Sequence, residues 1–296
     1  MIRAIDPYRW YICRRVAPGA YARGVIACYL PDPATPGLFH PTELTRGPWS
    51  PDAQHGGAPS ALLGYVIEQH EPRPGFRVAR ITIDMLGPVP LSPLRAQARV
   101  VRAEARVARP GREVEVVEAT LDSDRGPVVR ATAWRLRRAE PELPIPAEVL
   151  PTGTRPGPDT VTPGPQHRFP SDRAVGFHSG VEYRFVSGAF LSPGPAVCWI
   201  RLRQPIVAGV APSPLQRALA AADFGNGVSS VLPWDGYFFI NTDLTVTLHR
   251  DPVGEWVCLD AMTAPDPSGI GSAESRLFDE RGPIGRGTQT LLLGTR

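Results

Sequence analysis

Lysine is absent from this sequence, and all 32 of its basic residues are arginine. That excludes a Walker-type phosphate loop, a Schiff-base lysine and the strand lysine of protein kinases. Cysteine is scarce. Cys13, Cys28, Cys198 and Cys258 form no C-x-x-C pair, so a zinc or redox motif is not supported, and Cys198 and Cys258 in their apolar runs read as reduced core residues. No His/Cys/carboxylate cluster has metal-ligand spacing, and no Gly-x-Ser-x-Gly elbow marks a serine hydrolase. No apolar run approaches the roughly 20 residues of a membrane span. The net charge of +3 is too small to argue for nucleic acid. The N-terminal stretch lacks a continuous apolar core and a small-residue cleavage site and carries Arg14 and Arg15 in its middle, which makes the cytoplasm the expected compartment.

The 296 residues suffice for two domains. Residues 1–36 hold aromatics, Arg, Pro and Gly without a sustained period and read as a poorly structured extension. The first domain is expected over 37–138. Ala58, Ala61, Leu62, Tyr65 and Val66 form one apolar helical stripe, ended by Pro72 and Pro74. Strand-like stretches follow at Arg77–Leu86, Leu94–Ala105, Glu113–Asp122 and Val128–Arg137, the last two joined by an Asp124-Arg125-Gly126 turn. Residues 139–170 contain nine prolines and read as a stiff linker. The second domain is expected over 171–296. It opens with a strand at Val197–Leu202 and a helix from Pro214 to Phe224, which Gly225 and Gly227 suit as an end. Strands then follow at Tyr237–Leu248, Glu255–Thr263, Ser272–Asp279 and Gly285–Leu293.

The two halves repeat one another. Residues 121–132 match 277–288 at an offset of 156, with Arg-Gly-Pro, a second Arg and a Thr identical. Asp84 aligns with Asp243 and Pro93 with Pro252 at 159, and Pro59 aligns with Pro214 at 155. Each copy reads as a helix and then a run of antiparallel strands. A long helix covering the apolar face of a curved antiparallel sheet is the hotdog architecture. The fold class is therefore α+β: two tandem hotdog folds packed as an intrachain pseudo-dimer, which hides the bare edge that a single copy would leave.

Trp49 through Leu62, with its Gln54-His55-Gly56-Gly57, and Ala222-Asp223-Phe224-Gly225-Asn226-Gly227 with Asp243 and His249-Arg250-Asp251-Pro252 resemble the thioesterase-like superfamily related to type II acyl-CoA thioesterases. The likeness covers roughly residues 38–295. It implies an enzyme that hydrolyses acyl-CoA thioesters through a water held by an Asp, a Thr and a Gln. Asp223 matches the Asp and Gln289 the Gln. At the Thr this chain departs, with Asn241 in place and Thr242 beside it. The implied partner is an acyl-CoA substrate, with no cofactor, no metal, no nucleic acid and no membrane. A homo-oligomer of double-hotdog units stays open.

In that chemistry Asp223 is the base, since desolvation in an apolar groove strengthens a carboxylate. Gln289 and Asn241 orient the water through their amides. The backbone N–H groups around Gly56 and Gly57, at a helix start, receive the oxyanion. Blander readings remain beside these: Asp223 as a helix-end cap, Gly56-Gly57 as a tight helix entry, His55 as a hydrogen-bonded structural residue, and the tryptophans Trp49, Trp134, Trp199, Trp234 and Trp256 as core. Arg102, Arg106, Arg109 and Arg112 form a basic group that reads as a solvated face or as a contact for CoA phosphates. By the repeat, Glu68, Thr82 and Ala133 correspond to Asp223, Asn241 and Gln289, and one working site is expected rather than two. Alternative functions are a non-catalytic acyl or acyl-CoA binding protein and a hotdog dehydratase centred on His55.

Overall fold

Alternation of buried and exposed residues runs through the strands of both halves, as in the fourteen residues Gly282–Thr295, and such strands bury one face of a sheet. The computed structural model describes residues 27–101 and 112–296. Its strands are β1 (Tyr29–Pro31), β2 (Leu38–Pro41), β3 (Phe76–Met85), β4 (Leu94–Val101), β5 (Val114–Ser123) and β6 (Gly126–Arg137) in the first half. The second half holds β7 (Val181–Ala189), β8 (Ser192–Leu202), β9 (Tyr237–Asn241), β10 (Asp243–Leu248), β11 (Trp256–Pro265), β12 (Ile270–Asp279) and β13 (Gly282–Thr295). The helices are α1 (Gly57–Gln69), α2 (Pro214–Ala222) and the short α3 (Gly225–Val228).

All these strands join one sheet in the order β1-β2-β4-β5-β6-β3-β10-β13-β12-β11-β8-β7, with β9 beside β13. From β2 to β8 the order is a palindrome about the seam of β3 and β10. Helices α1 and α2 lie side by side against the sheet, and a Cβ added at Gly64 would stand 2.8 Å from Leu219 Cδ1. Leu62, Leu63, Ile67, Ala218 and Leu219 are fully buried in a single core that spans both halves, each large side chain contributing about 2 kcal/mol. The two copies therefore fold as one body. Among the described residues no helix is long and apolar enough to cross a membrane.

The repeated Arg-Gly-Pro has a local cause. Gly126 and Gly282 adopt φ of 108° and 127° in their hairpin turns, a region that only glycine enters freely. Ahead of them, Ser123 Oγ accepts from Arg125 N–H at 3.1 Å, and Asp279 Oδ1 from Arg281 N–H at 2.8 Å. The repeat register at the seam differs from the sequence alignment. Thr82 lies opposite Thr132 in β6, and Thr245 lies opposite Thr288 in β13. Since Thr132 and Thr288 are equivalent, so are Thr82 and Thr245, at an offset of 163. These two threonines face each other across the seam, joined by a 3.1 Å hydroxyl hydrogen bond, and mark the pseudo-twofold axis. Asp84 and Asp243 are cross-strand partners rather than equivalents, and Thr82 is not the counterpart of Asn241.

Three further expectations are corrected. Residues 1–26 lie outside the described part, but residues 27–36 are not a loose extension. Tyr29 is fully buried, its N–H donates to Ile206 O at 2.8 Å, and its hydroxyl donates to Gln54 Oε1. Its partners lie far along the chain, where local periodicity carries no signal. Gly225 and Gly227 do not stop the second helix, because α3 continues it after a break at Asp223 and Phe224. The strand expected over Tyr237–Leu248 is interrupted at Thr242, between β9 and β10. Arg102, Arg106 and Arg109 lie outside the described residues, and Arg112 is exposed. Cys28, Cys198 and Cys258 are buried free thiols.

Candidate active site

Asp223 closes α2 as its C-terminal cap and is 3% exposed. A buried carboxylate needs partners, and it has two. Asn241 Nδ2 donates to Oδ1 at 2.9 Å, and His55 Nδ1 lies 2.9 Å from Oδ2. The loop before α1 brings His55 there. Gln54 anchors that loop through Tyr29 and through its own Nε2, which donates to Pro90 O at 2.6 Å, while His55 N–H donates to Thr45 O at 2.8 Å. Gly56 then passes so close that an added Cβ would stand 2.8 Å from Asp223 Oδ1. The carboxylate of the later half thus faces the start of α1, whose first turn holds no acidic residue of its own and whose positive end favours an anion.

Gln289 does not line the resulting cavity. Its Oε1 accepts from Asn226 N–H at 3.0 Å and its Nε2 donates to the backbone O of Asp223 at 3.1 Å. Each end of the amide holds the helix break that carries Asp223, so Gln289 braces the backbone behind the carboxylate. Gly225 permits this, since a Cβ there would stand 2.8 Å from Gln289 Oε1. Thr242 is exposed at the rim, its hydroxyl 3.4 Å from Thr290 O.

The cavity measures about 340 Å³, within the usual range for small-molecule sites. Its polar end is formed by His55, Gly56, Asp223 and Asn241, and its rim by Gly87, Pro88 and Thr242. Five aromatic rings, Trp49, Trp234, Phe239, Phe169 and Phe224, make up much of the remaining wall, beside Met85, Val89 and Ile240. Trp49 and Trp234 therefore line the cavity, while Trp199 and Trp256 belong to a buried cluster with Cys258 and Phe278. Sequence reading missed Phe169, which arrives from the end of the proline-rich segment, and the pairing of His55 with Asp223. His178 stacks on Phe169 at 4.9 Å, and burial pushes its imidazole below the ordinary value. Among the described residues no group of three or more His, Cys, Asp or Glu could hold a metal ion.

The pseudo-equivalent corner lacks these parts. Glu68 Oε2 accepts from Ser213 Oγ at 2.6 Å, the N-cap of α2. Pro212, which has no N–H, stands where Gly57 stands in the first copy, and Ala133 where Gln289 stands in the second.

Residues 45–136 match the sequence model of the acyl-CoA thioesterase N-terminal domain, and residues 158–293 that of its C-terminal domain. No curated protein sequence matches the chain. Among solved structures, a conserved protein with a hot dog fold from Alicyclobacillus acidocaldarius aligns at TM-score 0.64 and 17% identity, covering 88% of this chain and 94% of that one. A candidate thioesterase II from Thermobifida fusca aligns at 0.64 and 17%, covering 90% and 95%. An acyl-CoA thioesterase II from Mycobacterium marinum aligns at 0.54 and 16%, covering 88% and 93%. At these identities the likeness speaks to the fold, which is the double hotdog.

Proposed function

This chain belongs to the acyl-CoA thioesterase family and is a thioester hydrolase; on that premise we propose that Asp223 and His55 together activate the hydrolytic water, and that amides at the start of α1 receive the oxyanion. The substrate is an acyl-CoA whose carbonyl enters the polar end of the cavity. The water oxygen attacks the carbonyl carbon, and its proton passes to the His55–Asp223 pair. The oxyanion that forms is met by the N–H groups of Gly56 and Gly57. The carbon–sulfur bond then breaks, and the pair returns the proton to the departing CoA thiolate. Asn241 fixes the carboxylate by donating to Oδ1, and Gln289 fixes the backbone behind it.

The observation that carries this reading is the buried Asp223 carboxylate, held by His55 and pressed against Gly56 at the wall of an otherwise apolar cavity. The test is Asp223→Asn. Turnover of acyl-CoA, read by thiol release, is expected to fall by about 10²–10⁴-fold while the unfolding midpoint stays near that of the wild type. Undiminished turnover in a folded variant removes Asp223 from the chemistry.

A further inference from the structure

Trp49 and Trp234 lie ring on ring, with centroids 5.2 Å apart and planes 5° from parallel. Phe239 meets both edge-on, at 4.8 and 4.7 Å. Trp234 is tied in place, because its Nε1–H donates to Phe190 O at 2.9 Å. The two tryptophans also line a second hollow of about 710 Å³, where Phe190, Leu191 and Leu232 stand beside the charged Arg173, Asp235 and Arg296 and which lacks His55, Asp223 and Asn241. The stacked pair is thus a partition between the cavity that holds the acid–base pair and a larger hollow beyond it.

We infer that the Trp49–Trp234 stack is the end wall of the acyl pocket and restricts this enzyme to compact acyl groups of about eight carbons or fewer. The inference rests on the acyl-CoA reading of the site and adds the substrate class to it. The size follows from volume. A cavity of about 150 Å³ holds one benzene, so the 340 Å³ here takes about a dozen non-hydrogen atoms. The thioester group occupies several of them. The exposed rim at Pro88 and Thr242 is the exit for the carrier, which leaves the aromatic end for the acyl chain. Removing either indole joins the cavity to the hollow behind it.

The experiment separates the wall from the chemistry by using ligands that cannot be hydrolysed. Butyl-, octyl- and hexadecyl-CoA thioethers are titrated calorimetrically into the wild type. Each methylene that enters the cavity tightens binding by about fourfold, so affinity rises from butyl to octyl and then stops. In Trp234→Ala the hexadecyl ligand is expected to bind about tenfold tighter than the octyl ligand, since some of the added methylenes now reach Phe190, Leu191 and Leu232. Trp49→Ala, a half-buried position outside the helices and strands, gives the same result if loss of Trp234 prevents folding. Gly227→Val works from the opposite side. A Cβ at Gly227 meets nothing nearer than the Trp234 ring at 3.9 Å, so this variant narrows the cavity and moves the limit to shorter chains. Affinity that climbs steadily from butyl to hexadecyl in the wild type overturns the inference, as does an unmoved limit in both tryptophan variants. Parallel thiol-release assays with the matching acyl-CoAs keep the two claims apart. The size limit without any hydrolysis sinks the mechanism alone, and equal hydrolysis of every chain length sinks the wall alone.

Discussion

Nδ1 of His55 stands 2.9 Å from Oδ2 of Asp223, and the amide nitrogen of Gly57 stands 3.1 Å from that same Nδ1. One ring nitrogen cannot donate to a carboxylate and accept from an amide with the same lone pair. With a proton on Nδ1, the ring donates to Asp223 and the Gly57 N–H is released. With Nδ1 bare, that N–H is spent on the ring. Proton position on the pair therefore decides whether the Gly57 N–H is free. His55→Ala is expected to lower kcat by about a hundredfold or more and to lower the unfolding midpoint too, since the ring partners the buried Asp223 and packs against Phe177 and Phe224. A kcat equal to the wild type would leave His55 a purely structural residue.

Two glycines near Asp223 are expected to fail in different ways when changed to alanine. Gly56 has helical backbone angles that any residue adopts (φ −55°, ψ −27°), so Gly56→Ala acts through contact with the carboxylate. The displaced carboxylate lowers kcat by about tenfold to a hundredfold, the scale of a 1 Å misplacement, and stability changes little. Gly225→Ala presses on the buried Gln289 and Ser275, so it lowers stability by about 1–3 kcal/mol through overpacking. Paired denaturant melts and steady-state kinetics on both variants check the contrast. A Gly56→Ala enzyme with full kcat and lowered stability would reverse it.

The parts of the site that sequence made legible are those with a local signature. Asp223 sits where a helix gives way to glycines, and Gly56 and Gly57 sit just ahead of an apolar helical stripe, so their elements could be placed from spacing, while the resemblance singled out Asp223 itself. Tyr29 and Phe169 could not. Their partners, Ile206 and Gln54 for one and Phe224 and Trp234 for the other, lie far away along the chain, and their neighbourhoods carry no period. The partners of Gln289 were hidden for a related reason. A buried amide announces that it has partners without saying which, and here they are the backbone of Asp223 and Asn226. The hairpin repeat fixed the two copies at 156, but a strand carries only a period of two. The seam alignment could therefore slip by four residues unnoticed.

Asp279 shows how the second copy hardened the hairpin that the first copy closes with Ser123. Its buried carboxylate accepts from Arg250 Nη2 at 2.6 Å and from the N–H groups of Val253 and Arg281, both at 2.8 Å. Burial alone would push the carboxyl up, but the Arg250 hydrogen bonds and the two amides outweigh it and hold the group below the usual carboxylate value. A depressed folded value gives stability that is present above the unfolded pKa of about 3.9 and is lost as pH falls through the folded value. Asp279→Asn is expected to lose about 3 kcal/mol at neutral pH, with the gap to wild type shrinking steadily below about pH 4. Urea melts of both proteins at several acid pH values test this, and a gap independent of pH would contradict it.

Glu68 carries the opposite sign. It lies near the end of α1, where a negative charge opposes the helix dipole, and its one short partner is the Ser213 hydroxyl. Burial pushes its carboxyl above the usual value, and the hydrogen bonds from Ser213 and Gln216 offset this only in part. A raised folded value means that stability is full below the unfolded pKa of about 4.3 and declines as pH rises through the folded value. Glu68→Gln keeps a side chain of the same shape that can still pair with Ser213, and it removes the charge. The variant is therefore expected to exceed the wild type in stability at pH 7 and to lose that advantage near pH 4. Because Glu68 occupies the corner where Pro212 has no N–H to offer and Ala133 stands in the place of Gln289, thiol release by the variant should match that of the wild type. A fall in turnover comparable to that of Asp223→Asn would mean that both corners of the pseudo-dimer take part in the chemistry.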